Sequence, residues 1–388
     1  MTLTCSFSLS GIVVAGDDFE AKDGYLVIED GKIKEIEDNR KNRKIDAAIE
    51  GIIIPAFVNA HTHIGDSVLK EPEFMPLEQL VGPGGFKHRI LGAATYGALV
   101  SAMNDTIEDM LATGTQIFAD FREGGLPGVL ALRAVLCYIE RKKQEQIGVK
   151  IFGSPVPDSV EVDRTGTVEV AIDKLLKAVD GIGMSSVADY PLEAIKLPAL
   201  EAKRMNKMFA LHAGERTAED IADAIELEPD FLVHLIKASH QDFKKMYDAD
   251  IAAVVCIRSN LVTGSGLPPL QQMLESGLTV GAGTDNVMLN SPDMFSEMEF
   301  ISKIFRSEAK DVLKMCTLDS AAVLKESESV GSIEEGKKAN LVVIRTDTAN
   351  MRNVSDPVKG VVRRARRTDI AAVIHEGRIV GGRSLKVM

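Results

Sequence analysis

Between residues 52 and 283, short β-branched and apolar runs alternate with longer stretches whose apolar positions recur at helical spacing. Eight of the runs read as strands: 52–59, 115–121, 149–154, 182–186, 209–211, 231–233, 253–256 and 280–283. Several intervening segments, 98–112 and 267–276 among them, have the apolar stripe of an amphipathic helix. Such alternation predicts an α/β fold with a parallel sheet, and eight repeats fit a distorted (β/α)8 TIM barrel. A doubly wound open sheet is the competing arrangement. No Gly-x-Gly-x-x-Gly follows the first strand, so the barrel is the expected fold.

The two chain ends have a different texture. Gly11-Ile12-Val13-Val14-Ala15-Gly16 and Gly24-Tyr25-Leu26-Val27-Ile28-Glu29-Asp30-Gly31-Lys32-Ile33 are β-rich runs broken by Gly and Asp-Gly turns. The C-terminal runs 339–344 and 371–380 repeat the pattern. The expected organisation is therefore a small β-sandwich domain assembled from residues 1–54 and 335–388, flanking a barrel over 55–334.

Composition narrows the function classes. With 45% hydrophobic and 26% charged residues, the chain has the make-up of a water-soluble globular protein. A net charge of −12 argues against nucleic acid as a partner, and the basic run Arg363-Arg364-Ala365-Arg366-Arg367 reads as a solvated face. No apolar run approaches the ~18 residues of a membrane span. The first residues lack the basic and apolar regions of a signal peptide. The four cysteines (Cys5, Cys137, Cys256, Cys316) have no paired spacing. These features predict a cytoplasmic, reduced protein with no membrane partner; homo-oligomerisation is left open.

Candidate chemistry collects at the ends of the expected strands, where a barrel carries its catalytic groups. The first run ends in His61-Thr62-His63, whose two imidazoles share one side of an extended backbone. Leu211-His212-Ala213-Gly214-Glu215, Val233-His234 and Gly283-Thr284-Asp285-Asn286 end three later strands. Three histidines and an aspartate suit one divalent ion, zinc first and iron second, with a position left for water.

With these residues in place the chain resembles the amidohydrolase superfamily, in its branch of one-metal deaminases and chlorohydrolases such as cytosine deaminase and S-adenosylhomocysteine deaminase. The resemblance rests on Pro55-Ala56-Phe57-Val58-Asn59 before His61-Thr62-His63, on His212 with Glu215, on His234, on Gly283-Thr284-Asp285, and on the 331–343 stretch returning to the β-rich tail. It implies His61, His63, His212 and Asp285 as metal ligands, Glu215 as proton shuttle and His234 as the histidine that steers the attacking hydroxide, with Asp285 also taking part in catalysis. His240 competes for a role but falls beyond its strand end. The fourth strand offers no lysine of the kind that two-metal relatives carboxylate, which points to one metal. The implied activity is release of ammonia from a purine, pyrimidine or related amino-heterocycle. The alternatives are a chlorohydrolase or cyclic amide hydrolase using the same site, and a non-catalytic binding protein; Glu215 favours deamination because a leaving amine needs a proton.

Substrate clues are thinner. The long loop 64–90 reads as a lid or specificity element, with Glu71 and His88 as pocket candidates together with Asn286. Arg122 and Arg258 lie just past strand ends, and the guanidinium fork suits an anion. They predict a small-molecule substrate carrying an anionic group beside its heterocycle; the alternative is that each arginine pairs with a neighbouring acid such as Glu123.

Overall fold

The computed structural model describes residues 6–38, 47–143, 147–155 and 168–382. The N-terminal strands are β1 (Ser6–Ala15), β2 (Glu20–Glu29), β3 (Lys32–Asp38) and β4 (Ile49–Pro55). Next come β5 (Phe57–His63), β6 (Thr115–Arg122), β7 (Gly148–Gly153), β8 (Gly181–Met184), β9 (Met208–Ala213), β10 (Phe231–His234), β11 (Ala252–Val255), β12 (Val280–Ala282) and β13 (Asp285–Asn286). The last are β14 (Leu341–Ile344), β15 (Ile370–His375) and β16 (Arg378–Gly381).

Strands from both chain ends join one seven-stranded sheet in the order β16-β15-β14-β4-β1-β2-β3. Its pairs are antiparallel except β1 with β4. A core of Leu9, Leu26, Ile28, Ile53, Leu341, Val343 and Ile374 covers it. The remaining strands form a nine-stranded sheet, β12-β11-β10-β9-β8-β7-β6-β5-β13, with helices between successive strands from β5 to β12. All seven residues of β5 and all eight of β6 are buried, as parallel strands covered on both faces must be.

Two compact units divide the chain. One comprises Met1–Asn59, Glu108–Ile117 and Asp293–Met388; the other comprises Ala60–Ile107 and Phe118–Pro292. The helices that follow Asp293 thus belong to the same compact unit as the seven-stranded sheet.

All eight expected strands are present, with shifted limits. The first differs most: the single run 52–59 is two strands, broken at Ala56. Residues before the break pair with β14, and those after it lead to the histidines. An unbroken apolar run cannot reveal that the chain changes sheets within it. The segment expected as helix over 267–276 is shorter, Leu270–Glu275, because Pro268 and Pro269 occupy its start. Helix Tyr96–Ala112 matches its apolar stripe closely. The basic run is largely solvated, with Arg364, Arg366 and Arg367 exposed; Arg363 donates to Ser302 Oγ and Ser307 O, and Arg364 to Asn350. Cys137, Cys256 and Cys316 form no disulfide; Cys5 lies outside the described residues. No helix among the described residues is long and apolar enough to cross a membrane.

Candidate active site and metal centre

Strand ends bring four donor groups together. One ligand atom each from His61, His63, His212 and Asp285 lies within 4.8 Å of the others, a grouping that could hold a metal ion. His61 Nε2 is 3.2 Å from Asp285 Oδ1 and 3.1 Å from His212 Nε2; His63 Nε2 is 3.5 Å from the same aspartate oxygen. His212 Nδ1 donates to Met184 O at 2.9 Å, leaving the Nε2 lone pair for the shared centre. Asp285 pairs across to Thr62 and Asn286 to His63 in parallel register, which sets the eighth-strand carboxylate beside the first-strand imidazoles. Gly283 makes this approach practicable, since a Cβ there would sit 2.7 Å from His61 Cβ.

Beneath the histidines lies an aromatic layer. Phe121 meets the His61 ring edge-on at 4.4 Å and stacks on Phe152 at 5.1 Å. In this dry surrounding, burial lowers the His61 pKa to about 4 and holds His212 well below the usual imidazole range. Both rings are thus neutral, as ligation requires. Burial works against ionisation of Asp285, but the hydrogen bond from His61 and the surrounding imidazoles outweigh it and hold the carboxyl well below its ordinary value. Three imidazoles and a carboxylate fit a divalent cation of borderline softness.

A second ring of contacts holds the donors in place. His63 Nδ1 donates to Glu123 Oε1 at 2.6 Å, and Lys87 Nζ meets the same oxygen. Arg122 binds Glu123 Oε2 at 2.5 Å and Asp120 Oδ2 at 3.3 Å. Burial would raise the Glu123 pKa, but Lys87, His63 and Arg122 hold it well below normal. Asp285 Oδ2 accepts from Ser259 Oγ at 2.6 Å, and Oδ1 from Asn286 Nδ2 at 3.1 Å.

On the other side stand His234 and Glu215. His234 Nδ1 donates to Asn260 Oδ1 at 2.8 Å, so Nε2 faces Glu215 Oε2 at 3.7 Å and Asp285 Oδ2 at 4.0 Å. Burial, reinforced by the Asp285 charge and opposed by His234, raises the Glu215 pKa. His234 and Asp285 both have positive φ, 75° and 60°, a backbone form that costs non-glycine residues energy and that often marks functional positions.

A cavity of about 940 Å³, its open mouth included, reaches this centre. His63, His212, Glu215, His234, Asp285, Asn286 and His88 line it, as do Leu77, Val81, Pro83 and Lys87 from the long loop. Four of the substrate expectations need comment. Arg122 is buried and committed to Asp120 and Glu123, and does not line the cavity. Arg258 is also buried, donates to Ser291 O at 2.5 Å and likewise does not line it. A residue number past a strand end does not say whether the side chain points to the cavity or folds back under it. Glu71 is exposed outside the cavity, whereas His88 does line it and its Nδ1 contacts Gly82 O at 3.0 Å. His240 is exposed at the start of helix His240–Asp248 and near Ser276, away from the centre.

Sequence reasoning passed over Lys87, Ser259 and Asn260, and named Glu123 only as a partner for an arginine. A usable signal existed for Glu123: a ligating histidine needs a partner for its second nitrogen, and an acid directly after the neighbouring strand is a natural candidate.

The amidohydrolase family profile matches residues 52–380. An uncharacterized protein of Methanocaldococcus jannaschii is 34% identical over 379 residues, 92% of this chain and 94% of that protein. A 5-methylthioadenosine/S-adenosylhomocysteine deaminase of Acetivibrio thermocellus is 27% identical over 423 residues, covering 97% of this chain and 91% of its own. The crystal structure of an adenosine deaminase from Xanthomonas campestris with bound zinc has the same fold: TM-score 0.81 at 19% identity, over 99% of this chain and 95% of that one. With four donor groups at its strand ends and the family match running through most of its length, this chain belongs to the amidohydrolase family.

Proposed function

We propose that the protein is a metal-dependent aminohydrolase that releases ammonia from an amino-heterocycle, with purine nucleosides as the first class to test. The observation that carries this reading is Glu215: a carboxyl with a raised pKa, opening on the cavity beside the donor set and 3.7 Å from His234. The purine class comes from the relatives, named as deaminases of adenosine and its thioether derivatives.

His61, His63, His212 and Asp285 would hold the ion, which we take to be a single zinc; strand β8, Gly181–Met184, carries no lysine to bridge a second. When bound, such an ion supplies Lewis acidity and lowers the pKa of a water towards ~7. The rest is the work of side chains. Glu215 holds a proton and delivers it to the ring nitrogen next to the C–NH₂ carbon, which makes that carbon more electrophilic. His234, fixed by Asn260, offers Nε2 to the attacking water, and Asp285 Oδ2 stands on the same side to accept its proton. The net change is water plus amine-bearing ring to oxo-bearing ring plus ammonia.

Three structural readings accompany the function. The pairing of β13 with β5, together with β12 on β11, supports closure of the nine-stranded sheet into a distorted (β/α)8 barrel. The strands of residues 1–54 and 335–388 are taken as one composite β domain. The substrate carries no obligatory anionic group, because acids outnumber the two basic side chains, Lys87 and Arg216, on the cavity wall.

The test is ammonia release by zinc-loaded protein from adenosine, 5-methylthioadenosine, S-adenosylhomocysteine, guanine and cytosine. Turnover of at least one is expected. No ammonia from any of them, with zinc bound, would overturn deamination.

A further inference from the structure

A buried ammonium is costly unless it is paired and hydrogen-bonded. Lys87 is only 5% exposed, yet two partners surround it: Nζ meets Glu123 Oε1 and donates to Asn286 Oδ1 at 3.2 Å. Burial opposes its charge, but Glu123 and Asp66 more than offset that and raise its pKa. Both hydrogen-bond partners continue to the donor set. Glu123 Oε1 accepts from His63 at 2.6 Å, and Asn286 donates to Asp285 Oδ1 at 3.1 Å. His63 Nε2 and Asp285 Oδ1 are themselves 3.5 Å apart. The contacts therefore close a ring: His63, Glu123, Lys87, Asn286, Asp285.

Lys87 enters this ring from outside the strands. It belongs to helix Phe86–Ala93, in the segment after His63 that also lines the cavity. The same segment is docked on the residues just beyond Asp285. Met288 N donates to Asp66 Oδ1 at 2.9 Å, Glu71 N donates to Met288 O at 2.9 Å, and Leu80 packs with Met288 and Leu289. One wall of the cavity and two of the four donors are thus joined through one ammonium.

We propose that Lys87 is a positioning residue: by holding Glu123 on His63 and Asn286 on Asp285 at once, it makes docking of the segment 64–93 a condition for a correctly aligned donor set. The inference rests on the reading of His63 and Asp285 as metal ligands. Its consequence is that the cavity wall and the metal centre assemble together, and a change in one is felt in the other.

Zinc affinity of the full-length protein, measured by competition with a chromophoric chelator, tests this without any substrate. Wild type is expected to bind zinc; failure to do so would overturn the ligand reading itself. Given binding, Lys87→Met should weaken zinc by about tenfold, as loss of support around a ligating histidine does. Lys87→Arg should recover part of that loss. In the Glu123→Gln background Lys87→Met should add little, within about threefold, because the two act in one chain of contacts. A purely structural lysine would instead lower the melting temperature of the metal-free protein and leave zinc affinity unchanged. Unchanged affinity in Lys87→Met, or full additivity with Glu123→Gln, would overturn the proposal. Should Lys87→Met fail to fold by circular dichroism, Asn286→Ala breaks the ring at its other side. It should weaken zinc in the same direction, and unchanged affinity there would equally overturn the proposal.

Discussion

Replacing Glu215 by Gln tests the proposed chemistry most directly. The amide keeps the side chain's volume and can still accept from Ser265 Oγ, which lies 3.3 Å from Oε1. What it loses is a transferable proton. Burial and the Asp285 charge favour the protonated carboxyl, His234, Ser265 and Arg216 oppose it, and the balance raises the Glu215 pKa. General acid catalysis by a placed side chain contributes about 10²- to 10⁴-fold, so kcat should fall by about 3–5 kcal/mol in barrier terms. Glu215 is not among the four grouped donors, so zinc stoichiometry should not change. The pH profile gives a second readout. The protonated form is the active one, and its population falls as pH rises through the raised pKa. Wild type should therefore lose rate on the alkaline side, and Glu215→Gln should lack that limb. A coupled ammonia assay on the best substrate, with metal analysis of both proteins, measures all three. A variant within tenfold of wild type would refute the proton-donor role; a variant that loses its zinc would show that Glu215 belongs to the metal site instead.

Three further outcomes are expected. Asp66 has a folded-state pKa pushed by burial to about 7, against about 4 for a free carboxyl, so the folded protein holds the extra proton between those values and stability falls as pH rises through that window. The metal-free Asp66→Asn variant should accordingly melt above wild type at pH 8, with the gap closing towards pH 4; a lower melting temperature at pH 8 would contradict this. Gly65→Ala places a Cβ 2.1 Å from an Arg122 nitrogen that Glu123 holds in place, and should cost about 1–3 kcal/mol in urea unfolding; wild-type stability would refute the close approach. Arg258→Met should leave KM within about twofold of wild type while lowering stability, since the side chain supports Ser291 O and is absent from the cavity wall; a KM rise of tenfold or more would restore it as a substrate contact.

Periodicity and strand-end chemistry made much of this molecule legible. The alternation of apolar runs located all eight strands because burial on both faces leaves an unmistakable apolar signature. His61, His63, His212 and Asp285 could be singled out because strand ends bring together residues far apart in the chain. Other features have no local signature. The break between β4 and β5 lies inside one apolar run, where every residue suits either sheet. Whether an arginine beyond a strand end faces the cavity depends on the carboxylates around it, and for Arg122 these are Asp120 on its own strand and Glu123 next to it. Lys87 was hidden for another reason. Its partners are 36 and 199 residues away, and only the docked helix that carries it brings them within reach.

The fate of Arg122 also bears on the expectation of an anionic substrate, since this guanidinium is committed inside the protein. Holding His63 by a carboxylate requires burying that carboxylate, at a desolvation cost of several kcal/mol unless cations accompany it. Glu123 has two, Arg122 on Oε2 and Lys87 on Oε1. Arg122 is in turn shared with Asp120, whose Oδ1 accepts from Ile64 N at 2.7 Å and so fixes the chain immediately after His63. The two cations near the donor set are therefore committed to internal carboxylates. Drawing either towards a substrate anion would leave Glu123 or Asp120 buried with too little compensation, and would loosen His63 with it. A neutral ligand makes no such demand. Of the Lys and Arg side chains among the described residues of the cavity wall, Lys87 is thus committed to the support of His63, and Arg216 is paired with Asp189.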